Sequence, residues 1–214
     1  MPAHGDFMRA EVNNVAYMRL PARNESERVI FALAAEAETK DAYSTTHPKR
    51  VANTAVHIGM RLGLREADLL ALYRGGLTHD IGKIFISHAV LLKPGPLNAE
   101  EEKQMREHTV IGERIVKHLP SAADILPIIR HHHERFDGGG YPDGLCGHKI
   151  PLLARIVSIS DAHDALSSDR PYRARQNQTQ AIETLMRGAG QQWDRELVSL
   201  LLSELPATRF ELAS

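Results

Sequence analysis

An all-α fold is what this sequence predicts, on three observations. Apolar residues recur at spacings of three and four along most of the chain. No stretch alternates convincingly with period two. The 214 residues are 43% hydrophobic and 25% charged, ordinary values for one soluble domain with a core of its own.

The elements follow in order. Residues 1–25 show weak periodicity and contain Asn13, Asn14 and Pro21, so they are expected to be a tail or a leading helix, and 26–214 the domain proper. From Glu27 the stripe Val29, Ile30, Leu33, Ala34 and Ala37 predicts a first amphipathic helix. Val51, Ala52, Ala55, Val56, Gly59 and Leu62 predict a second, with Gly63 where a C-terminal cap is expected. Glu66 to Thr78 predicts a third. A fourth begins after Asn98, which with Glu101 forms a capping-box start, and continues through Met105, His108, Ile111, Gly112, Ile115 and Val116. A fifth is expected over 122–132. Pro151 suits the first turn of a sixth through Leu152, Ile156, Ile159 and Ala162. Two more fit 179–187 and 194–205. Residues 93–98 and 137–150 read as Gly- and Pro-rich loops, where function often sits.

Composition excludes several classes. The net charge is −1, so global electrostatics points to neither a nucleic-acid polymer nor an acidic membrane surface. No run approaches the roughly 20 apolar residues that span a bilayer, and the start of the chain lacks the layout of a signal peptide. The single cysteine, Cys146, rules out an internal disulfide and thiolate-rich zinc sites. A cytoplasmic setting is expected. Twelve histidines is a high count, and they are spread along the chain. Histidine is the commonest protein metal ligand.

The sharpest motif is His79-Asp80-Ile81-Gly82-Lys83. On a continuing helix His79 and Asp80 would diverge by about 100°, but Gly82 suggests that the helix ends there, letting both face one cleft. An aspartate can bridge two metals about 3.5–4 Å apart. His47 precedes the second helix, His108 faces inward on its stripe, and His131, His132, His133 and Glu134 close the fifth helix. Asp161 lies in an apolar helix and needs a partner or a metal. Taken singly, each has a bland alternative: a helix cap, a satisfied core histidine, a favourable cluster at a negative helix end, or an Asp161 ion pair with Arg50 or Arg155. Together they suggest a nitrogen-rich centre of more than one metal, favouring iron or manganese over zinc, nickel or cobalt.

HDIGK, then LLKPGPLNAEE, HHERFDGGGYPDG, ARIVSISDAHDAL and DRPYR closely resemble the HD-GYP family, a branch of the HD metal-dependent phosphohydrolases. The resemblance runs from about Glu36 to Leu202. It implies a helical bundle with a metal centre in its core and phosphodiesterase activity on the bacterial second messenger cyclic di-GMP, giving pGpG, with the further step to GMP varying among two-metal members. It implies ligands at His47, His79, Asp80, His108, His132, His133 and Asp161, with Asp80 bridging and His131 an extra histidine outside the set. The implied nucleophile is a hydroxide bridging the two ions. Lys83 is implied at the phosphate or attacking water, and Arg170 and Arg173 as a phosphate-binding pair. Gly140, Tyr141 and Pro142 are implied as a surface for diguanylate cyclase domains or a regulatory protein, although Tyr141 suits packing support equally well. The glycines of DGGGYPDG are expected to allow positive φ and close backbone approach.

One departure matters. Some family members carry a glutamate four residues before the first histidine ligand, where it helps hold a third metal; here Tyr43 stands there. Two divalent metals, not three, are therefore expected. Alternatives are another cyclic dinucleotide such as cyclic GMP-AMP, or a non-catalytic module that binds the nucleotide without cutting it.

Overall fold

The computed structural model describes residues 25–40, 46–119, 122–168 and 176–205. Among them no strand occurs, only an isolated bridge between Ala189 and Trp193. The helices are α1 (Glu25–Lys40), α2 (His47–Arg61), α3 (Glu66–Thr78), α4 (His88–Leu91), α5 (Ala99–Arg106), α6 (His108–Val116), α7 (Leu126–His131), α8 (Leu152–Ser167), α9 (Gln178–Gly188) and α10 (Arg195–Glu204), with 3-10 turns at Ile81–Phe85 and Gly147–Lys149. The expected tail before residue 25, Tyr43, Arg170 and Arg173 lie outside the described residues.

Local chemistry sets most boundaries. Gly63 ends α2 at φ 68°, with Leu64 N–H bonding to Gly59 O and Gly63 N–H to Met60 O, the paired bonds of a Schellman cap. Asn98 with Glu101 and Asn177 with Gln180 form complete capping boxes on α5 and α9.

Three expectations need correction. The fourth predicted helix is two helices that part at Glu107. The cause is side-chain competition: His108 Nδ1 takes Met105 O at 2.6 Å and Thr109 Oγ1 takes Arg106 O at 3.1 Å, so both replace main-chain bonds of a continuing helix. The fifth starts at Leu126 rather than near Ala122, because Pro127 fits only a first helical turn. His47 lies in the first turn of α2 instead of before it.

One apolar cluster joins α2, α3, α7, α8, α9 and α10 through Val51, Leu72, Ile128, Ile156, Leu185 and Leu197, with Trp193 beside them. A second gathers Ile30, Ala34, Ile81, Val116 and Ile129, where α1 covers α3 and the Ile81–Phe85 turn and α6 and α7 each add a residue. A buried ion pair pins α1: Glu27 accepts from Arg74 at 2.7 Å, and Arg74 also reaches Asp124 at 3.0 Å.

Glycine sets how near α3 comes to its neighbours. A Cβ at Gly76 would lie 2.6 Å from Ala52 Cα on α2, and one at Gly75 would lie 2.4 Å from Ile128 Cδ1 on α7. The end of α3 is thereby wedged between the helix that begins with His47 and the one that ends before His132.

Candidate metal centre

His79 and Asp80 follow the last turn of α3 as a tight bend, and both side chains are buried. The next turn, Ile81–Phe85, packs on α6 so closely that a Cβ at Gly82 would sit 1.9 Å from His108 O. That contact brings Asp80 to His108. The end of α7 supplies His132 and His133, and α2 supplies His47.

The side chains converge on Asp80. Its Oδ1 lies 3.2 Å from His108 Nε2 and 3.7 Å from His132 Nε2; its Oδ2 lies 3.3 Å from His79 Nε2 and 2.8 Å from Lys83 Nζ. Around Asp80, two sets have donor atoms close enough to share an ion: Asp80, His108, His132 and His133, and His47, His79 and Asp80; a third such set, His131, Glu134 and Asp143, lies apart from Asp80. Asp80 belongs to both. Asp161 stands beside the second set, its Oδ1 3.5 Å from His47 Nε2.

The ring orientations have a local cause. His79 Nδ1 bonds to Gly76 O at 2.9 Å, His108 Nδ1 to Met105 O at 2.6 Å and His132 Nδ1 to Ile129 O at 3.0 Å. Each carbonyl fixes the tautomer and turns Nε2 toward Asp80. His47 is held differently: its Nδ1 lies 2.7 Å from Asp164 Oδ2, and Arg50 Nε and Nη2 grip Asp164 at 2.5 and 3.0 Å. Arg50 thus pairs with Asp164, one turn beyond Asp161, and Arg155, the other arginine weighed as a bland partner for Asp161, pairs with Asp194. Asp164 is the residue that sequence reasoning missed. Its only signal was the spacing Asp161-Ala162-His163-Asp164, which puts two carboxylates on one helical face.

A cation fits this cradle. Asp80 Oδ1, His108 Nε2 and His132 Nε2 are buried and make no hydrogen bond. Leaving such groups unsatisfied costs about 1–3 kcal/mol each, and a divalent ion answers all three. The protonation states agree. Burial, with neighbouring histidines adding, pushes His133 well below the usual imidazole range; burial also lowers His132. Both are therefore neutral, the form that coordinates metal. Burial alone would raise Asp80, but Lys83, His79 and the facing imidazoles hold it well below the carboxylate range. Asp164 is drawn down to about 2 against the opposing effect of burial, by His47 and Arg50. The donors are nitrogen and oxygen throughout.

The Gly-rich loop closes over this centre. Buried Glu134 accepts the N–H groups of Asp143 at 2.8 Å and Leu145 at 3.0 Å, and Arg130 clamps the Asp143 carboxylate. His131 lies on this side, Nδ1 3.5 Å from Asp143 Oδ2. Of the three consecutive glycines only Gly138 has positive φ, 85°, so the expectation of positive φ at Gly139 and Gly140 does not hold. Gly140 serves close approach instead: a Cβ there would lie 2.2 Å from Arg135 N. Tyr141 stacks on His133 with centroids 5.0 Å apart, and a cis bond leads to half-buried Pro142.

No helix among the described residues is long and apolar enough to cross a membrane. The HD domain family model matches residues 26–197. The chain is 38% identical over 148 residues to 3'3'-cGAMP-specific phosphodiesterase 3 of Vibrio cholerae, covering 69% of this chain and 32% of that one. It is 37% identical over 182 residues to the cyclic di-GMP phosphodiesterase response regulator RpfG of Xanthomonas campestris pv. campestris, covering 83% and 48%. The chain thus spans half or less of the length of these relatives. An HDG"Y"P protein from Bdellovibrio bacteriovorus shares the fold at a TM-score of 0.62 and 19% identity, over 94% of this chain and 67% of that one. The family model spans well over half of the sequence, and the chain belongs to the HD domain family.

Proposed function

We propose that this chain is a metal-dependent phosphodiesterase that opens cyclic di-GMP to pGpG, with product analysis deciding whether GMP follows. The observation that carries the reading is the pair of donor sets that share the buried Asp80. Support also comes from the relatives named for this activity.

His108, His132 and His133 would hold one divalent ion, and His47, His79 and Asp161 the other, with Asp80 common to both. Iron or manganese suits these donors, and two ions suit a chain with tyrosine at position 43. A bound pair of such ions supplies Lewis-acid charge stabilisation and a water nucleophile of lowered pKa. The remaining work falls to side chains. Lys83, bonded to Asp80, fixes the shared carboxylate and donates to a phosphate oxygen as charge develops there. Arg170 and Arg173 bind the phosphodiester. The domain is taken as 26–214, with the loop at Gly140, Tyr141 and Pro142 as the docking face for a cyclase or regulator.

A second reading, cyclic GMP-AMP as substrate, is favoured by the name of the Vibrio relative. The test is product analysis by chromatography after anaerobic loading with Fe(II) or Mn(II), offering both cyclic dinucleotides. Linear products from cyclic di-GMP are expected. Asp80→Ala is expected to lose metal and turnover together, read by elemental analysis beside the assay. Normal metal content and turnover in that variant would overturn the site assignment. Exclusive turnover of cyclic GMP-AMP would select the second reading.

A further inference from the structure

We propose that the guanidinium of Arg106 is the platform on which one purine base of the substrate stacks at the rim of the metal centre. This deepens the cyclic-dinucleotide reading above and rests on it.

Arg106 is the last residue of α5, two positions before His108. Its Cζ lies 5.1 Å from the centroid of the Tyr141 ring, which in turn stacks on His133 at 5.0 Å and an interplanar angle of 29°. Glu102, one turn earlier, pairs with Arg106 Nη2. Tyrosine and carboxylate together fix a planar cation in place, while 48% of its side chain stays exposed. Ordering costs are thereby met before a ligand arrives.

Such a plane suits a base. Nucleobases stack on guanidinium planes as they do on aromatic rings, and Tyr141 supports the cation from below. Glu102 offsets the charge, so a phosphate is the poorer occupant; Lys83, against Asp80, is the cation beside the reacting oxygens. Two ring-scale contacts separate the plane from the donors around Asp80. A nucleotide held by its phosphate at Asp80 would carry its base across those two contacts to reach the plane.

The test compares wild type, Arg106→Ala and Arg106→Lys as metal-loaded full chains. Calorimetry gives Kd for a phosphorothioate analogue of cyclic di-GMP that resists cleavage. Steady-state kinetics give KM and kcat, and elemental analysis gives metal content. The alanine variant is expected to bind on the order of 10-fold more weakly or worse, with KM raised and with metal content and kcat at saturation kept. Lysine is expected not to rescue, because it keeps charge without a plane. Full rescue by lysine would overturn the stack in favour of a phosphate contact. Unchanged Kd in the alanine variant, or loss of metal from it, would also overturn the proposal. A wild type that binds the analogue but cuts no cyclic dinucleotide would sink the phosphodiesterase reading, with the Kd comparison still deciding the stack. A wild type that fails to bind would overturn both.

Discussion

Replacing Gly82 by alanine places a methyl group where the backbone of α6 already stands. The new carbon would lie 1.9 Å from His108 O and 2.7 Å from Gly112 N, whereas ordinary contact begins at 3.4 Å. Neither neighbour is a flexible side-chain end, so the 3-10 turn and α6 must part by more than an ångström. Overpacking of this kind costs about 1–3 kcal/mol. At about 2–4 °C per kcal/mol for a domain of this size, Tm should fall by roughly 2–12 °C. The larger effect is on the centre, because the same contact holds Asp80 Oδ1 3.2 Å from His108 Nε2. A shift of about 1 Å is enough to cost about 100-fold in rate. Differential scanning calorimetry, metal analysis and cyclic di-GMP turnover on Gly82→Ala read all three. Wild-type metal content and turnover would refute the argument that this glycine sets the spacing of the donors.

Asp164→Asn removes the charged partner of His47 and is expected to weaken metal binding about 10- to 100-fold, measured by competition with a chelator; unchanged affinity would discard its supporting role. The same carboxylate gives a pH signature. Its folded pKa of about 2 lies below the unfolded value of about 3.9. The stability it contributes is thus present above the unfolded value and lost as pH falls toward 2. In chelator-treated protein, the Tm gap between wild type and Asp164→Asn should narrow between about pH 5 and pH 2, and a constant gap would contradict the assignment. Glu134→Ala leaves the N–H groups of Asp143 and Leu145 without their acceptor, at about 1–3 kcal/mol each. Calorimetry should show a Tm lowered by several degrees, and an unmoved Tm would mean that the loop is anchored elsewhere.

Much of the site was legible because its donors sit where helices end or turn inward. HDIGK announced a helix end through Gly82, and His108 kept the stripe of its apolar neighbours. Asp164 was not legible for a reason of scale. Helical spacing says that Asp161 and Asp164 share a face, but which turn meets Arg50 is decided by how α2 lies on α8. The break at Glu107 was hidden because competition from the His108 and Thr109 side chains acts on carbonyls that a pattern of apolar residues does not register. The glycines divide similarly: sequence offers both uses of glycine, and packing assigns positive φ to Gly138 and contact to Gly140.

Three of the imidazoles lean on carbonyls three residues earlier in their own stretch of chain. The aim of each donor is therefore written within a single turn and does not depend on an ion to hold it. Removing a cation would alter the charge balance around Asp80, while these carbonyl bonds would keep the rings facing inward. A cradle built in this way has its donors aimed before any ion arrives, so the cost of ordering them is met by folding.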